Sequence, residues 1–135
     1  MRSAPDFPKG ASTRQRSAAR AAIVEDKICR SCGRRIEWQK KWERSWEQVL
    51  YCSNACRRRG ITEADRKAEE AIRYAVRHSA GATSLSAIAW DAQHPEILRR
   101  AARRLVAAGE IEMIQSGRVV DPSTAVGEVR IRRAH

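Results

Sequence analysis

Four cysteines, arranged in two close pairs, are the residues of this sequence best suited to chemistry. Cys29 and Cys32 are separated by two residues, Cys52 and Cys56 by three, and nineteen residues lie between the pairs. Four thiolates can surround zinc as a tetrahedron with Zn–S distances of about 2.3 Å. A two-residue gap followed by Gly33 suits a tight turn that aims both sulfurs at one point, and residues four apart share one face of a helix. The spacing therefore predicts a structural site for one Zn²⁺ ion with these four cysteines as its ligands.

Three other arrangements of the thiols stay open at this stage. They are two disulfides, a redox-active pair and an iron–sulfur cluster. Stable disulfides are rare in a reducing cytoplasm, and this is the compartment that we expect, because the N-terminal sequence lacks the apolar core of a secretory signal. A closed four-thiolate site leaves no coordination position for a substrate, so the zinc interpretation predicts a role in folding rather than in hydrolysis.

The residues between and beside the cysteine pairs indicate how the sulfurs are positioned. Ser53 can cap a helix over residues 54–59, and the positive end of that helix favours thiolate over thiol. Trp38, Trp42 and Trp46 are spaced by four, which places them on one face of either a helix or a strand. Two interpretations of this face stay open: a small aromatic core laid against the zinc site, or an exposed platform on which bases stack.

A net charge of +11 predicts a polyanionic partner. The excess lies in residues 1–22, with +4, and around the cysteines in residues 23–60, with +5, whereas residues 61–135 carry only +2. We expect nucleic acid, and DNA in particular, as the partner; the alternative is that the charge only keeps the protein soluble. The first segment has no apolar period, which predicts a disordered basic tail rather than the alternative, an organelle transit peptide.

The segment CRSCGRRIEW…KKWERSWEQVLYCSNACR resembles a short bacterial cysteine module, domain of unknown function 2256. The resemblance covers about residues 26–59 and includes all four cysteines, the three tryptophans and the YCS-x-x-CR block. The CxxCG…EW and YCSxxC blocks are also similar to the small zinc proteins that inhibit DNA gyrase. Both resemblances imply a treble-clef-like zinc knuckle, hairpin and helix; the first family has no assigned activity.

The pattern after Gly60 changes to helices followed by strands. Thr62 and Asp65 form a near capping box at the start of a first helix, which we expect to end at Gly81, and a short second helix follows a serine cap at residue 84 or 86. A third helix has Pro95 in its first turn, and the sequence that follows predicts a hairpin at Ser116-Gly117 and a last strand in EVRIRR. Three helices followed by a short β-hairpin is the order of a winged helix, in which the third helix enters the DNA major groove.

The basic residues that such a DNA-binding protein would use fall into three sets, of which the smallest is Arg118 beside the hairpin turn. Those beside the cysteines can offset the charge of a zinc–thiolate centre or contact phosphates, and those of the third helix, which we expect on its outer faces, can contact DNA or simply keep the helix soluble. The candidate nucleic-acid-binding residues are Arg57, Arg58, Arg59, Arg99, Arg100, Arg103, Arg104 and Arg118.

The pieces RLVAAGEIEMIQSGRVVDP and VRIRR resemble a second bacterial family, domain of unknown function 3253, over about residues 64–133. The two modules occur joined in this order in related bacterial proteins. The resemblance implies the same architecture and supplies no mechanism.

Together these features predict an α+β chain with a disordered basic tail in 1–22, a zinc module in 23–60 and a winged-helix-like domain in 61–135. We expect the two modules to fold separately. No histidine, glycine loop or carboxylate pair indicates an enzyme, and no apolar run is long enough to span a membrane. The function predicted is a nucleic-acid-binding accessory or regulatory protein. The alternative is a protein-docking adaptor that uses the tryptophan face and the winged helix, and neither oligomeric state nor target sequence can be inferred.

Overall fold

The computed structural model describes residues 25–134, so the predicted tail in 1–22 lies outside the described residues. Helices and strands are mixed, which confirms the α+β class at that level. In chain order the elements are β1 (Lys27–Ile28), β2 (Arg35–Ile36), 3₁₀ helices at Lys40–Trp42 and Trp46–Gln48, α1 (Asn54–Arg59), α2 (Glu63–Arg77), β3 (Thr83–Ser84), a 3₁₀ helix at Leu85–Ala87, α3 (Pro95–Ala107), β4 (Ile111–Gln115), β5 (Arg118–Val119) and β6 (Arg130–Arg133). They include two small sheets, one of β1 and β2 and one with the strand order β3-β6-β4-β5. Within the described part of the chain, no helix is both long and apolar enough to cross a membrane.

The chain divides into two compact units. Among the described residues, the first consists of 25–27 together with Ile36–Leu50, and the second of Ile28–Arg35 together with 51–134. All four cysteines therefore lie in the same unit as α2 and α3. The domain boundaries inferred from the sequence stay a prediction, and the site is described below within the second unit alone.

The first unit contains the tryptophans. Two short 3₁₀ helices replace the single helix or strand that the spacing of four allows. The rings of Trp42 and Trp46 stack with centroids 5.7 Å apart. The ammonium group of Lys41 lies 4.9 Å from the centroid of Trp42, and that of Lys27 lies 5.1 Å from the centroid of Trp46. Trp38 stays exposed. The aromatic residues thus form a half-buried pair with lysines over the rings, rather than a continuous face.

The second unit is built around α2, α3 and the four-stranded sheet. The predicted capping box is present, because the Thr62 hydroxyl accepts from the backbone of Asp65 and the Asp65 carboxylate accepts from the backbone of Thr62. Pro95 is the first residue of α3, as predicted. Gln115 pairs with Arg118 across the two-residue turn, whose residues both have positive φ angles as a type I′ hairpin requires.

Two sequence-based expectations for this unit are wrong. α2 ends at Arg77 and not at Gly81, because His78 leaves the helical conformation with φ −100° and ψ 9°. The expected second helix is only the 3₁₀ turn at Leu85–Ala87, because the serine and threonine before it form β3 and pair antiparallel with β6. Pairing with β6 gives residues 83 and 84 backbone partners in a neighbouring strand, whereas a 3₁₀ helix of only three residues has few hydrogen bonds of its own.

One face each of α2 and α3 packs against β4 and β6 to form the core. Its buried side chains are small or aliphatic, which lets the helices approach closely. They are Ala68, Ile72, Val76, Leu85, Leu98, Ala101, Ala102, Leu105, Ile111, Met113, Val129 and Ile131.

Asp65 is fully buried at the start of α2 and connects α1 to it. Arg59 donates two hydrogen bonds to the carboxylate, at 2.7 and 2.9 Å, and the Thr62 backbone donates a third at 2.7 Å. Burial alone would raise the pKa of Asp65, but these bonds and the arginine charge outweigh burial and lower it. Because the folded-state pKa is depressed, the stabilisation is complete above the unfolded value of about 3.9 and is lost as the pH falls through the folded value.

Replacing this carboxylate should destabilise the second unit. Asp65→Ala is expected to lower the free energy of unfolding by about 3 kcal/mol at neutral pH, because Arg59 loses its buried partner. Glu63→Ala, at an exposed position in the same helical turn, should cost at most about 0.5 kcal/mol. Urea unfolding followed by circular dichroism measures both. If the difference in the free energy of unfolding between wild type and Asp65→Ala does not become smaller below a pH of about 4, Asp65 does not stabilise the fold as a carboxylate.

Candidate metal centre

The first cysteine pair lies on a tight turn. The backbone N–H of Gly33 donates to the Cys29 carbonyl at 3.0 Å, and the N–H of Cys29 donates to the Arg34 carbonyl at 2.8 Å. Gly33 has φ +78°, the left-handed region that favours glycine. The turn brings the Cys32 backbone nitrogen to 3.5 Å from the Cys29 sulfur. We call residues 28–35 the knuckle.

The second cysteine pair lies at the start of α1. The Ser53 hydroxyl accepts from the backbone N–H of Cys56 at 3.1 Å, which confirms Ser53 as the predicted N-cap. This cap fixes the first turn of the helix. The Cys52 and Cys56 sulfurs, four residues apart in sequence, are consequently 3.6 Å apart.

The four sulfurs form one cluster. All lie within 4.8 Å of one another, and the Cys32 and Cys52 sulfurs, one from each pair, are 3.7 Å apart. A zinc ion with Zn–S distances of about 2.3 Å places its sulfurs about 3.8 Å apart, whereas a disulfide needs about 2.05 Å. The cysteines are free, and all except Cys52 are buried. The cluster could hold a metal ion, and its donor set is consistent with zinc.

The local electrostatics also favour a cation at the centre of the cluster. Although Cys52 is exposed as a residue, desolvation of its thiol within the cluster raises its pKa to about 12, and the neighbouring thiols add to the effect. Burial likewise raises the pKa of Cys32. At Cys56 burial opposes ionisation too, but interactions with Ser53, the other thiols and Arg100 outweigh it and lower the pKa to about 7. Four thiolates this close repel one another, so full ionisation needs a positive ion among them.

Three arginines of α3 surround the knuckle rather than face solvent. The Nε of Arg103 donates to the Cys32 carbonyl at 2.6 Å, and only 6% of this residue is exposed. Arg104 donates to the Ser31 carbonyl at 2.7 Å, and Arg100 to the Ser31 hydroxyl at 2.5 Å. The expectation that these residues lie on the outer faces of α3 is therefore wrong, because the carbonyls of the knuckle need donors that the turn itself does not supply.

The remaining candidate nucleic-acid-binding residues fall into two groups. Arg59 is paired with Asp65, and Arg99 donates to the carbonyls of residues 125 and 127. Arg57, Arg58 and Arg118 are exposed. A role of any of these arginines in binding nucleic acid stays a prediction.

Ser31, which was not among the residues predicted from the sequence, is fully buried between the two knuckle cysteines. Its hydroxyl donates to the Gly60 carbonyl at 2.6 Å and so connects the knuckle to the end of α1. The signal available was a small polar residue between two ligands, but a serine there is equally compatible with an exposed turn. Its burial depends on α3, which lies about seventy residues further along the chain.

Comparison with known families supports the resemblance stated above for the segment that contains the cysteines. Residues 22–59 match a family described as "Uncharacterized protein conserved in bacteria (DUF2256)", which confirms the first resemblance over this segment. The comparison does not support the resemblance of the C-terminal part to domain of unknown function 3253, which stays a prediction. No curated protein matches the chain.

Cys52 is the most direct test of the metal centre, because it is the exposed member of the cluster and its replacement should disturb packing least. Purified protein is expected to bind one Co²⁺ per chain with the absorption of thiolate-to-cobalt charge transfer, and one Zn²⁺ should displace it. Cys52→Ser should weaken binding by more than about 100-fold, since a direct ligand exceeds the 10–100-fold effect of outer-shell groups. Cys52→His, which retains a zinc ligand, should recover part of the affinity. Unchanged binding by Cys52→Ser would exclude this four-thiolate site.

Gly33 tests how closely the knuckle approaches α3. A Cβ atom there would lie 2.5 Å from the Arg103 Cβ and 2.8 Å from the backbone of α3. Gly117 has nearly the same φ angle, +77°, but open space around it. In urea unfolding, Gly117→Ala should cost about 1 kcal/mol for the positive φ, and Gly33→Ala about 3 kcal/mol or more because it also overpacks. Equal losses in the two variants would contradict the close approach.

Proposed function

We propose that this chain is a small zinc-binding protein that binds nucleic acid through exposed arginines beside its metal centre. Zinc is the ion best matched to four clustered thiolates with sulfur separations of 3.6 and 3.7 Å. Four thiolates leave no open coordination position, so the ion would stabilise the fold and not take part in a reaction. Its role would be to hold the knuckle and α1 in place as a basic surface.

The observation that carries the proposal is the division of the arginines of the second unit. Those of α3 donate to the chain's own carbonyls, hydroxyl and carboxylate groups. By contrast, four arginines beside the cysteines are exposed and have no carboxylate partner among residues 25–134: Arg30, Arg34, Arg57 and Arg58. Because guanidinium groups that are not neutralised by a carboxylate bind phosphate oxygens well, these four are the best candidates for contacts to a nucleic-acid backbone.

We infer a winged-helix-like arrangement for the C-terminal part. The order of α2, β3, the 3₁₀ turn, α3 and the β4–β5 hairpin supports it, as does the sheet order β3-β6-β4-β5. In winged helices that read DNA, the third helix presents side chains to base edges. Here three of its four arginines are bonded to the knuckle, and the fourth, Arg99, is bonded to the carbonyls of residues 125 and 127. We therefore expect contacts to phosphates and little preference for base sequence.

A protein-docking adaptor is the second candidate, and the tryptophans favour it. Trp38 is 36% exposed, and the stacked pair of Trp42 and Trp46 is only half-buried. Exposed aromatic residues are enriched at protein–protein interfaces. The same rings could instead stack on bases, so binding measurements decide between the two candidates.

The test is a salt titration of the full-length, zinc-loaded protein against labelled duplex DNA, single-stranded DNA and a structured RNA. Binding is expected at about 50 mM salt and should weaken steeply towards 200 mM as counterions are released. The double variant Arg57→Ala/Arg58→Ala should reduce the slope of log K against log salt for duplex DNA by about 2, because each phosphate contact contributes about 0.9. Metal content measured alongside should remain at one ion per chain.

The matched control is Lys67→Ala/Arg77→Ala, which removes the same charge from exposed positions of α2. It should leave the slope nearly unchanged. If both double variants weaken binding equally, net charge and not the surface beside the metal is responsible. If wild type binds none of the three probes at about 50 mM salt, nucleic acid is excluded and the docking adaptor becomes the function to test.

A further inference from the structure

The second unit contains buried positive charge that no described carboxylate balances. Arg103 is 6% exposed, and its Nε is bonded to a neutral carbonyl, that of Cys32. The Nε of Arg100 is buried without any hydrogen-bond partner among the described residues. Arg104, on the same helix, differs from both because Glu69 accepts from it at 2.8 Å. Two of the three arginines that hold the knuckle thus lack a counter-ion.

A buried cation is strongly unfavourable unless an anion lies nearby. The guanidinium of Arg100 lies 3.9 Å from the sulfur of Cys56, and Arg103 is bonded to the backbone of another cysteine of the cluster. Four thiolates around a divalent ion carry a net charge of −2. The metal–thiolate centre is therefore the anion that fits the position, and the magnitude, of the unbalanced charge.

We propose that Arg100 and Arg103 are positioning residues that neutralise the metal–thiolate centre and make the packing of α3 depend on the bound metal. The proposal rests on the zinc-binding part of the proposed function and not on the nucleic-acid part. Metal binding supplies the negative charge that keeps the two guanidinium groups on the knuckle. In return, the two groups favour the charged, metal-loaded state of the cysteines.

The consequence for folding follows from the position of α3. Its opposite face carries Leu98, Ala101, Ala102 and Leu105 into the hydrophobic core. The helix therefore has two buried faces, one apolar and one bonded to the knuckle. Removal of the metal should loosen α3 and the core that it shares, whereas separately folding modules would leave the core unchanged.

The coupling is reciprocal, so it can be measured first at the metal. Zn²⁺ affinity is obtained by competition with a chromophoric chelator for the full-length protein. Arg100→Gln and Arg103→Gln are each expected to weaken it by about tenfold, the lower end of the range for outer-shell partners of a metal site. Arg100→Lys, which retains the charge, should recover most of the loss. A purely steric role of the side chain would give no such recovery.

Arg99→Gln is the matched control, because it removes the same charge from α3 at a residue that is bonded to the carbonyls of residues 125 and 127 instead of to the knuckle. Its Zn²⁺ affinity should stay within about twofold of wild type. Equal losses in all three glutamine variants, or no loss in any, would overturn the proposal. If wild type itself binds no zinc, the zinc-binding part of the proposed function fails as well.

A second measurement needs no variant that might fail to fold. Hydrogen exchange of the wild-type protein is compared before and after removal of the metal with a chelator. The amides of residues 98–107 are expected to lose protection by at least about tenfold, together with those of α2 that pack on α3. Loss confined to residues 28–35 and 51–59 would overturn the proposal and support two separately folding modules. Binding of nucleic acid affects neither readout.

Discussion

The hydrogen bonds from α3 to the knuckle are the interaction on which the rest of the second unit depends. Ser31 and Cys32, in the turn between the first two cysteines, are buried, and buried carbonyls need donors. Arg103 and Arg104 supply them at 2.6 and 2.7 Å. Gly33 has no side chain and so allows the turn to approach the helix backbone. The two knuckle cysteines are consequently held against α3.

This arrangement explains how one small chain can use so many arginines. The net charge is +11, yet the basic residues of the second unit do not form one uniform surface. Those of α3 and Arg59 are bonded within the fold, whereas Arg57 and Arg58 are exposed. Charge composition therefore does not indicate which basic residues are available to contact a partner.

Much of the local structure could be predicted because the contacts that determine it join residues close together in the sequence. The Ser53 cap, the capping box of Thr62 and Asp65, and the hairpin turn at Ser116-Gly117 each pair residues three positions apart. The short helix expected after residue 84 and the tryptophan segment were predicted less well. Before the expected short helix, pairing with a strand nearly fifty residues away decides the conformation. In the tryptophan segment, a spacing of four is compatible with several backbone conformations, and two 3₁₀ turns are formed.

The sequence by itself determined the cysteine cluster, because two closely spaced pairs can converge with only a tight turn and one helical turn to position them. It also determined the core faces of α2 and α3 through their apolar periods. Only the tertiary structure decided the other face of α3. A charged residue on a helix is normally solvated, and its burial depends on whether a distant segment offers acceptors and counter-charge. For Arg100 and Arg103 that segment is the knuckle, about seventy residues earlier in the chain.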